Sequence, residues 1–368
     1  MEPIVHEVDP GGDTLLILRY ADAPFAVRSS AILWPDRLPN YLSQQMRLNE
    51  QHLGGTGPGL FLTMAQIREN KQEIRMRLSS KHLTLASAYF KKMMTNNWRE
   101  TNPEDDYSDY SFVVAAEEWD QKALLILMNI IHGQTTKVPR IISLEMLAKM
   151  SVLVDYYKCH EVAEFFAKTW ISNLTEPVPT SYGRNLLLRL CVSWVFSEAE
   201  IFRLLTKTVV HQSRGPIHSL DLPIPTNVID TLEMRRQNLV SGVICSLHIL
   251  KSQFYKDKGD CSFECSSILL GALIKGMNAA CILDQLPRSQ LEGYSFMALE
   301  RAVLNIQEPN YGSIPSSYSL CTKKQRGSGS GYSAIPHRCT LSEKTRPIID
   351  KKLKTIFGLE LTDLTNED

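Results

Sequence analysis

The sequence has no excess of charge of either sign and no long apolar run. Its 40 basic residues equal its 40 acidic residues, so the formal net charge is zero. A neutral chain lacks the overall positive field that draws a protein to nucleic acid, so nucleic-acid binding is not the favoured function. The densest apolar stretch, ALLILMNII, falls well short of the ~18 residues that a membrane-spanning helix needs, and we expect no membrane span.

The beginning of the sequence lacks the order of a signal peptide, in which basic residues precede an apolar segment. The first residues are MEPIVHEVDPGGD, which are acidic. We therefore expect a cytoplasmic or nuclear protein. Cysteines stay reduced in those compartments, so the eight cysteines of the chain are not interpreted as a disulfide framework.

Catalytic motifs are missing as well. The sequence has no phosphate-binding GxxxxGK motif, no GxGxxG after a strand, no GxSxG and no HExxH. Cys159 and His160 are adjacent, whereas a thiol nucleophile and its base usually come from separate elements, so we interpret them as a packed cysteine beside a capping or exposed histidine. The acidic loop at 104–106 follows Pro103 and is expected to be solvated. No enzyme activity is predicted.

The stretch 74–94, IRMRLSSKHLTLASAYFKKMM, is the most informative part of the chain. IRMRL alternates apolar and polar residues, which is the pattern of a half-buried strand. Ser79 and Ser80 then offer a helix N-cap, because a serine hydroxyl can accept a hydrogen bond from a free N–H of the first turn. The apolar residues that follow recur at helical spacing: Leu83, Ala86, Phe90 and Met93.

A second block begins at FVVAAEEWD, residues 112–120. Asp120 can cap the helix QKALLILMNIIHG, which is apolar nearly all round and is therefore predicted to be a buried core helix. Two more helices follow, the first with Ser143 as its cap. Their apolar faces are predicted to carry Leu144, Leu147, Ser151 and Val154 in the first helix, and Val162, Phe165, Phe166 and Trp170 in the second.

Together these blocks resemble the BTB/POZ domain in its fungal-type variant. The matching pieces are SSKHLTLAS-AYF-KKM, the EEWD helix with its IIHG end, and VLVDYYKCHEVAEFFA, which occur in the right order. The resemblance covers the core at 74–174, about a quarter to a third of the chain, and depends on the whole pattern. It also implies that the strand TLLILRY, residues 14–20, pairs with IRMRL as an opening hairpin.

The two hairpin strands are separated by some fifty residues, whereas hairpin loops usually have ~2–5. We interpret about 28–72 as an irregular surface insert. A binding loop and a mis-joined gene model are the alternatives. The first domain is then predicted to span 1–176 as a BTB/POZ-like α/β domain.

Beyond the linker at 177–183 the pattern is almost purely helical. A long helix at about 226–256 has apolar residues at steps of three and four, which is coiled-coil-like spacing. Arg236 and Gly242 interrupt this stripe and favour an intramolecular bundle over a dimer zipper. An all-α domain is predicted at 183–368, and the fold class of the whole chain is predicted to be α+β.

The candidate metal ligands are Cys261 and Cys265, four residues apart, together with His337 and Cys339. Two thiolates and a Cys/His pair suit a tetrahedral zinc ion, and a closed set of four ligands would make the zinc structural. The alternative is that these are reduced, partly buried cysteines and an unrelated surface histidine. No other cofactor is predicted.

The resemblance implies a non-enzymatic protein that binds other proteins. It could self-associate, serve as an adaptor for a cullin-type ubiquitin ligase, or join nuclear regulatory complexes. The alternative function is a transcription-linked regulator that binds nucleic acid or chromatin factors through the C-terminal half. Aromatic residues are enriched among interface hot spots, so Trp98, Tyr107 and Tyr110 are the predicted anchors, with coverage of the domain's own edge as their alternative role.

Overall fold

The computed structural model describes residues 3–27, 72–95, 109–256, 262–283, 291–309 and 339–364. In these ranges the chain forms a four-stranded mixed sheet and twelve α-helices, so the predicted α+β class is confirmed. The predicted insert at 28–72 lies outside the described residues except for its last position, and the acidic loop at 104–106 lies outside them entirely.

The sheet is built around β2 (Thr14–Arg19), and its strand order is β1-β3-β2-β4. β3 (Ile74–Leu78) runs antiparallel to β2 with Thr14 opposite Leu78, which confirms the predicted hairpin. β4 (Phe112–Glu117) lies parallel to β2 on its other side. All five residues of TLLIL in β2 are buried, and because successive side chains of a strand point to opposite faces, both faces of β2 are covered.

An edge strand, β1 (Ile4–Glu7), was not predicted. It runs parallel to β3, and most of its side chains are exposed. An edge strand with little burial carries no clear apolar alternation, which is why its sequence gave no signal.

The region after β3 holds two helices, although a single helix was expected there. α1 (Ser80–Ala86) ends at Ser87, and α2 (Ala88–Thr95) begins immediately afterwards. The Ser87 hydroxyl donates to the Tyr157 carbonyl at 2.5 Å and accepts from the Phe90 N–H at 3.1 Å. The serine thus caps α2 and binds it to a distant segment, and this contact breaks the helix.

Three helices complete the N-terminal part: α3 (Gln121–Ile131), α4 (Leu144–Tyr157) and α5 (His160–Ser172). The caps predicted for the first two are confirmed, since Asp120 accepts from the Ala123 N–H at 2.9 Å and Ser143 accepts from the Met146 N–H at 3.3 Å. The predicted face of α4 is buried as expected, at Leu144, Leu147, Ser151 and Val154.

The predicted buried face of α5 is partly wrong. Trp170 is buried, but Val162 and Phe166 are half-buried and Phe165 is 69 % exposed. The residues that α5 turns inward are Ala163 and Ala167. Small side chains allow this helix to lie close to α3 and α4, and the larger phenylalanine is left outside.

The remaining helices of the described chain are α6 (Arg184–Val195), α7 (Ala199–Gln212), α8 (Thr226–Tyr255), α9 (Phe263–Ala279), α10 (Phe296–Leu304), α11 (Leu341–Leu353) and α12 (Leu361–Leu364). The long helix predicted at 226–256 is confirmed as α8, which packs within the chain against α7, α9, α10 and α11. α6 packs against α4, and one cluster of buried apolar side chains continues from the sheet into these helices.

Arg236 does not interrupt the core face of α8, contrary to the prediction. Its side chain is fully buried, and its Nε and Nη2 donate to the two carboxylate oxygens of Glu233 at 3.0 and 2.5 Å. Its Nη1 donates to the carbonyls of Leu291 and Tyr294, both at 3.2 Å. Pairing with a carboxylate and two carbonyls satisfies the guanidinium inside the bundle.

Along the described parts of the chain, no helix has the length and apolar character needed to cross a bilayer.

Candidate interaction surface

The aromatic residues predicted as anchors are not available together for a surface. Trp98 and Tyr107 lie outside the described residues. Tyr110 is half-buried just before β4, and the guanidinium carbon of Arg77 lies 5.5 Å from the centroid of its ring. Tyr110 is therefore engaged with the protein's own sheet, in line with its alternative role.

A different set of aromatic side chains meets on the surface. Tyr89 of α2 and Trp119, which follows β4, both lie against Tyr156 of α4, each with ring centroids 5.2 Å from those of Tyr156. Tyr156 is 46 % exposed, and the other two are half-buried. We call Tyr89, Trp119 and Tyr156 the aromatic surface.

The aromatic surface lies on a rigid base. Beneath it Phe90 and Tyr157 are fully buried and stacked, with ring centroids 4.9 Å apart and an interplanar angle of 11°. Burial raises the pKa of Tyr157, which keeps its phenol neutral. α4 ends at Lys158 in a left-handed conformation, and the Lys158 carbonyl accepts from the Ala88 N–H at 3.5 Å. This contact and the Ser87–Tyr157 hydrogen bond bring Tyr89 to Tyr156.

A cleft of about 370 Å³ adjoins the aromatic surface and shares Trp119 with it. Within the described chain, four separate parts line the cleft: residues 23–27, residues 117–120 with Ala123, three residues of α4, and Leu220 with Asp221 before α8. Ala123, Val152 and Leu153 supply apolar lining, while Phe25 and Trp119 supply aromatic lining. We call this the Trp119 cleft.

The wall formed by residues 23–27 is held in place by Arg184, the first residue of α6. Its Nη2 donates to the Phe25 carbonyl at 3.0 Å, and its Nε donates to the Ala26 carbonyl at 3.1 Å. Its Nη1 pairs with Glu145 at 3.0 Å. Opposite, the Asp22 N–H donates to the Trp119 carbonyl at 3.0 Å, so the two aromatic walls are joined through the backbone.

Lys149 lines the cleft, and neighbouring carboxylates balance its charge. The Lys149 ammonium lies 2.8 Å from Asp120 and 3.2 Å from Glu145. Burial alone would raise the pKa of Asp120, but the hydrogen bonds from Lys149 and from the Ala123 N–H hold it below its usual value. Burial would lower the pKa of Lys149, yet the two carboxylates raise it instead. These groups therefore stay charged and paired at neutral pH.

The rim of the cleft carries carboxylates. Glu117, Glu118 and Asp221 are all exposed. Arg19 lies opposite Glu117 in the β2–β4 register, but its ion pair is with Glu73, at 3.7 Å. Across the described chain, neither Glu117 nor Asp221 forms an ion pair. As far as the described residues line it, the cleft opening is thus acidic, in a protein whose overall charge is zero.

The predicted zinc ligands are only partly covered by the structure. Cys261 and His337 lie outside the described residues. Cys265 is buried in the first turn of α9, and Cys339 is half-buried shortly before α11. Among the described residues, no group of three or more metal-ligating side chains comes together. The four-ligand site stays a prediction.

Cys159 and His160 lie as interpreted from the sequence. The Cys159 thiol is buried between α4 and α5, and burial raises its pKa to about 12. His160 begins α5 and is exposed. A thiol with so high a pKa is protonated at neutral pH and is a poor nucleophile.

In comparisons with known proteins, no family model and no curated protein matched this chain.

The aromatic surface was missed in the sequence because its members come from three elements. Tyr156–Tyr157 was the available signal, since neighbouring residues on a helix point about 100° apart and one of an aromatic pair on a core helix can lie outside.

Proposed function

We propose that the protein is a non-enzymatic protein–protein interaction module of BTB/POZ type that binds partners through the aromatic surface. The observation that carries the proposal is the exposure of Tyr156 between Tyr89 and Trp119 on a rigid, buried base. Tyrosine and tryptophan on a preorganised support provide contact area with little loss of side-chain entropy, which is typical of interface hot spots.

The order of elements supports the BTB/POZ part of the proposal. The hairpin of β2 and β3, the paired helices α1 and α2, the strand β4 and the helices α3 to α5 follow in the sequence order from which the resemblance was inferred. The residues with which the aromatic surface is built belong to the matching blocks AYF, EEWD and VLVDYYKC.

The partners that the proposal implies are a second copy of this chain, a cullin-type scaffold or nuclear regulatory proteins. A partner that covers Tyr156 would remove its exposed ring from water and meet two tyrosine hydroxyls, which lie 3.4 Å apart. Such an interface combines apolar contact with hydrogen bonding, as tyrosine-rich interfaces commonly do.

The test is affinity purification of the full chain followed by mass spectrometry, with wild type compared with Tyr89→Ala/Tyr156→Ala. We expect the double variant to lose at least one class of partner, or to lose a dimer measured by analytical ultracentrifugation. Tyr255→Ala is the matched control, since Tyr255 is 79 % exposed on α8. Equal melting temperatures establish that the variants are folded. Full retention of every partner and of the oligomeric state by the double variant would refute the proposal.

A further inference from the structure

The Trp119 cleft has a preformed shape that the local sequence does not favour. Ten non-glycine residues in the described ranges have a left-handed backbone, and four of them, Ala26, Glu118, Leu220 and Asp221, line this cleft. Such conformations are uncommon and persist only where the surrounding structure enforces them. Their concentration at one opening is typical of a ligand clamp.

The charges of the cleft favour a positively charged ligand over a negatively charged one. Lys149 is already paired with Asp120 and Glu145, so two carboxylates offset its positive charge. Glu117 and Asp221 stand at the opening without an ion pair in the described chain, and Glu118 lies beside them. The exposed carboxylates of Glu117 and Asp221, at the edge of a partly enclosed space, attract a cation and repel an anion.

The aromatic residues that line the cleft favour a cation that can stack on a ring. Phe25 and Trp119 both line the cleft, and the Lys149 ammonium already lies 5.6 Å from the centroid of the Phe25 ring. A guanidinium is planar, stacks on aromatic rings and can bind a carboxylate with two parallel hydrogen bonds. A volume of about 370 Å³ lies at the small end of ligand pockets and suits one long side chain with its neighbour.

We propose that the Trp119 cleft accepts an arginine side chain from a surface segment of a partner protein. The guanidinium pairs with Glu117 and Asp221 at the rim while its aliphatic part lies against Trp119. Because Trp119 belongs to both features, a partner on the aromatic surface reaches the cleft directly. The inference rests on the proposed function, since it supplies the chemistry of the partner that the aromatic surface binds.

The probe is the peptide Ac-Ser-Leu-Arg-Leu-Ser-amide, titrated into the ¹⁵N-labelled full chain. The readout is the indole N–H resonance of Trp119, assigned by its loss in Trp119→Phe. We expect a saturable shift with the arginine peptide. Replacing arginine by citrulline, which has the same shape without the charge, should weaken binding about tenfold or more, and a glutamate peptide should not bind.

The matched protein variants are Glu117→Gln/Asp221→Asn in the cleft and Glu161→Gln/Asp230→Asn outside it. Both pairs remove one exposed glutamate and one exposed aspartate, so they change the net charge equally. We expect the first pair to weaken the arginine peptide about tenfold and the second pair to leave it unchanged. Equal binding of the citrulline peptide, equal effects of the two pairs, or no shift at millimolar peptide would each overturn the proposal.

The outcome is separable from that of the proposed function. If Tyr89→Ala/Tyr156→Ala loses its partners while no peptide shifts Trp119, the cleft proposal fails and the aromatic surface stands. If the arginine peptide binds as expected while the tyrosine variant keeps every partner, the cleft is a site of its own and the aromatic surface is not the interface.

Discussion

Phe90 and Phe165 both lie on amphipathic helices, yet the first is completely buried and the second is 69 % exposed. Phe90 stacks on Tyr157 beneath the aromatic surface, where no water is available to replace a lost contact. The same residue type therefore contributes very differently to stability at the two positions.

We predict that Phe90→Ala lowers the free energy of unfolding by about 3–5 kcal/mol, because it leaves a cavity in a packed core. Phe165→Ala is the control and should change it by less than about 0.5 kcal/mol. Urea denaturation followed by circular dichroism measures both values. Similar losses in the two variants would contradict the assignment of Phe90 to the core.

Arg189 of α6 is a charged side chain that is buried without full pairing. Its Nη1 is buried and makes no hydrogen bond in the described chain, and only the more distant charge of Glu198 favours its protonated form. Burial lowers the pKa of this guanidinium below its usual value. An incompletely paired buried charge is a source of instability.

We predict that Arg189→Met raises the free energy of unfolding by about 1–2 kcal/mol, since methionine fills similar space without the desolvation penalty. Arg140→Met, at an exposed arginine, should be nearly neutral. Guanidinium denaturation of both variants against wild type gives the comparison. A less stable Arg189→Met protein would mean that the guanidinium has a favourable partner.

At the scale of elements, the N-terminus of α1 is held from outside its own sequence. Ser79 occupies the cap position, but its hydroxyl makes no capping hydrogen bond. The Asp13 carboxylate accepts from the Ser80 N–H at 2.8 Å and from the Ser80 hydroxyl at 2.6 Å. Although burial would raise the pKa of Asp13, these hydrogen bonds hold it below its usual value. The side chain that caps α1 is therefore that of Asp13, just before β2, and the prediction that one of the two serines caps this helix is wrong.

We predict that Asp13→Ala lowers the free energy of unfolding by about 0.5–2 kcal/mol, as the loss of an N-cap does. Ser79→Ala should have almost no effect, because the methyl group replaces a hydroxyl that caps nothing. Thermal and urea unfolding distinguish the two. A larger loss in Ser79→Ala than in Asp13→Ala would restore the serine as the cap.

His132 completes the same junction. Its Nε2 accepts from the Ser79 N–H at 2.9 Å, and its Nδ1 faces the Met128 carbonyl at 2.8 Å, so the neutral ring with its proton on Nδ1 satisfies both groups. Burial lowers the pKa of His132, and the nearby His82 lowers it further, while the Met128 carbonyl and Asp9 act in the opposite direction. The folded state thus favours the neutral ring.

A pKa lowered by folding means that the unfolded chain binds the proton more tightly. The stability contributed by neutral His132 is therefore complete above pH ~6.5 and is lost as the pH falls from there through the folded pKa. We predict a smaller loss of stability between pH 7.5 and 5 in His132→Gln than in wild type, measured by urea denaturation. His218→Gln, at an exposed histidine, should keep the wild-type pH dependence. Identical pH profiles for His132→Gln and wild type would exclude this role.

Periodicity predicted the elements where local sequence decides, and failed where a distant group decides. The strand IRMRL and the long helix α8 were found from their apolar spacing, and the helix after Asp120 was found from its cap and its apolar composition. The strand TLLILR was expected from the family resemblance. The break at Ser87 depends on the Tyr157 carbonyl, and the burial of Arg236 depends on Glu233 and two carbonyls near 291–294. The pair Tyr156–Tyr157 indicated one exposed ring, but the aromatic surface as a whole was not predicted because its three residues come from separate elements that meet only after folding.

At the scale of the whole molecule, β2 is central to the sheet, since it lies between β3 and β4. A fragment confined to the core at 74–174 would lack this strand and would leave both of its neighbours unpaired. The interaction experiments therefore need the complete chain. The pairing of β2 with β3 uses residues on either side of the segment 28–71.

We predict that replacing residues 28–71 by a short Gly/Ser linker leaves a cooperatively folding protein. A shorter connection lowers the entropic cost of closing the loop between β2 and β3. The free energy of unfolding should therefore rise by roughly 1–2 kcal/mol. Calorimetry of the shortened protein gives both the cooperativity and the change in stability. Loss of a single sharp transition would mean that the removed segment belongs to the core.

During translation, β2 is made well before the strand that pairs with it in parallel. Its parallel partner β4 begins at Phe112, far later in the sequence than Thr14. At a synthesis rate of ~5–20 residues per second, β2 waits about 5–20 s after its own translation before β4 has been made. Throughout that interval the run TLLIL, which is wholly buried in the finished protein, has an unpaired side. A chaperone that holds apolar segments during translation should therefore raise the yield of folded protein, and its benefit should begin before β4 has been made.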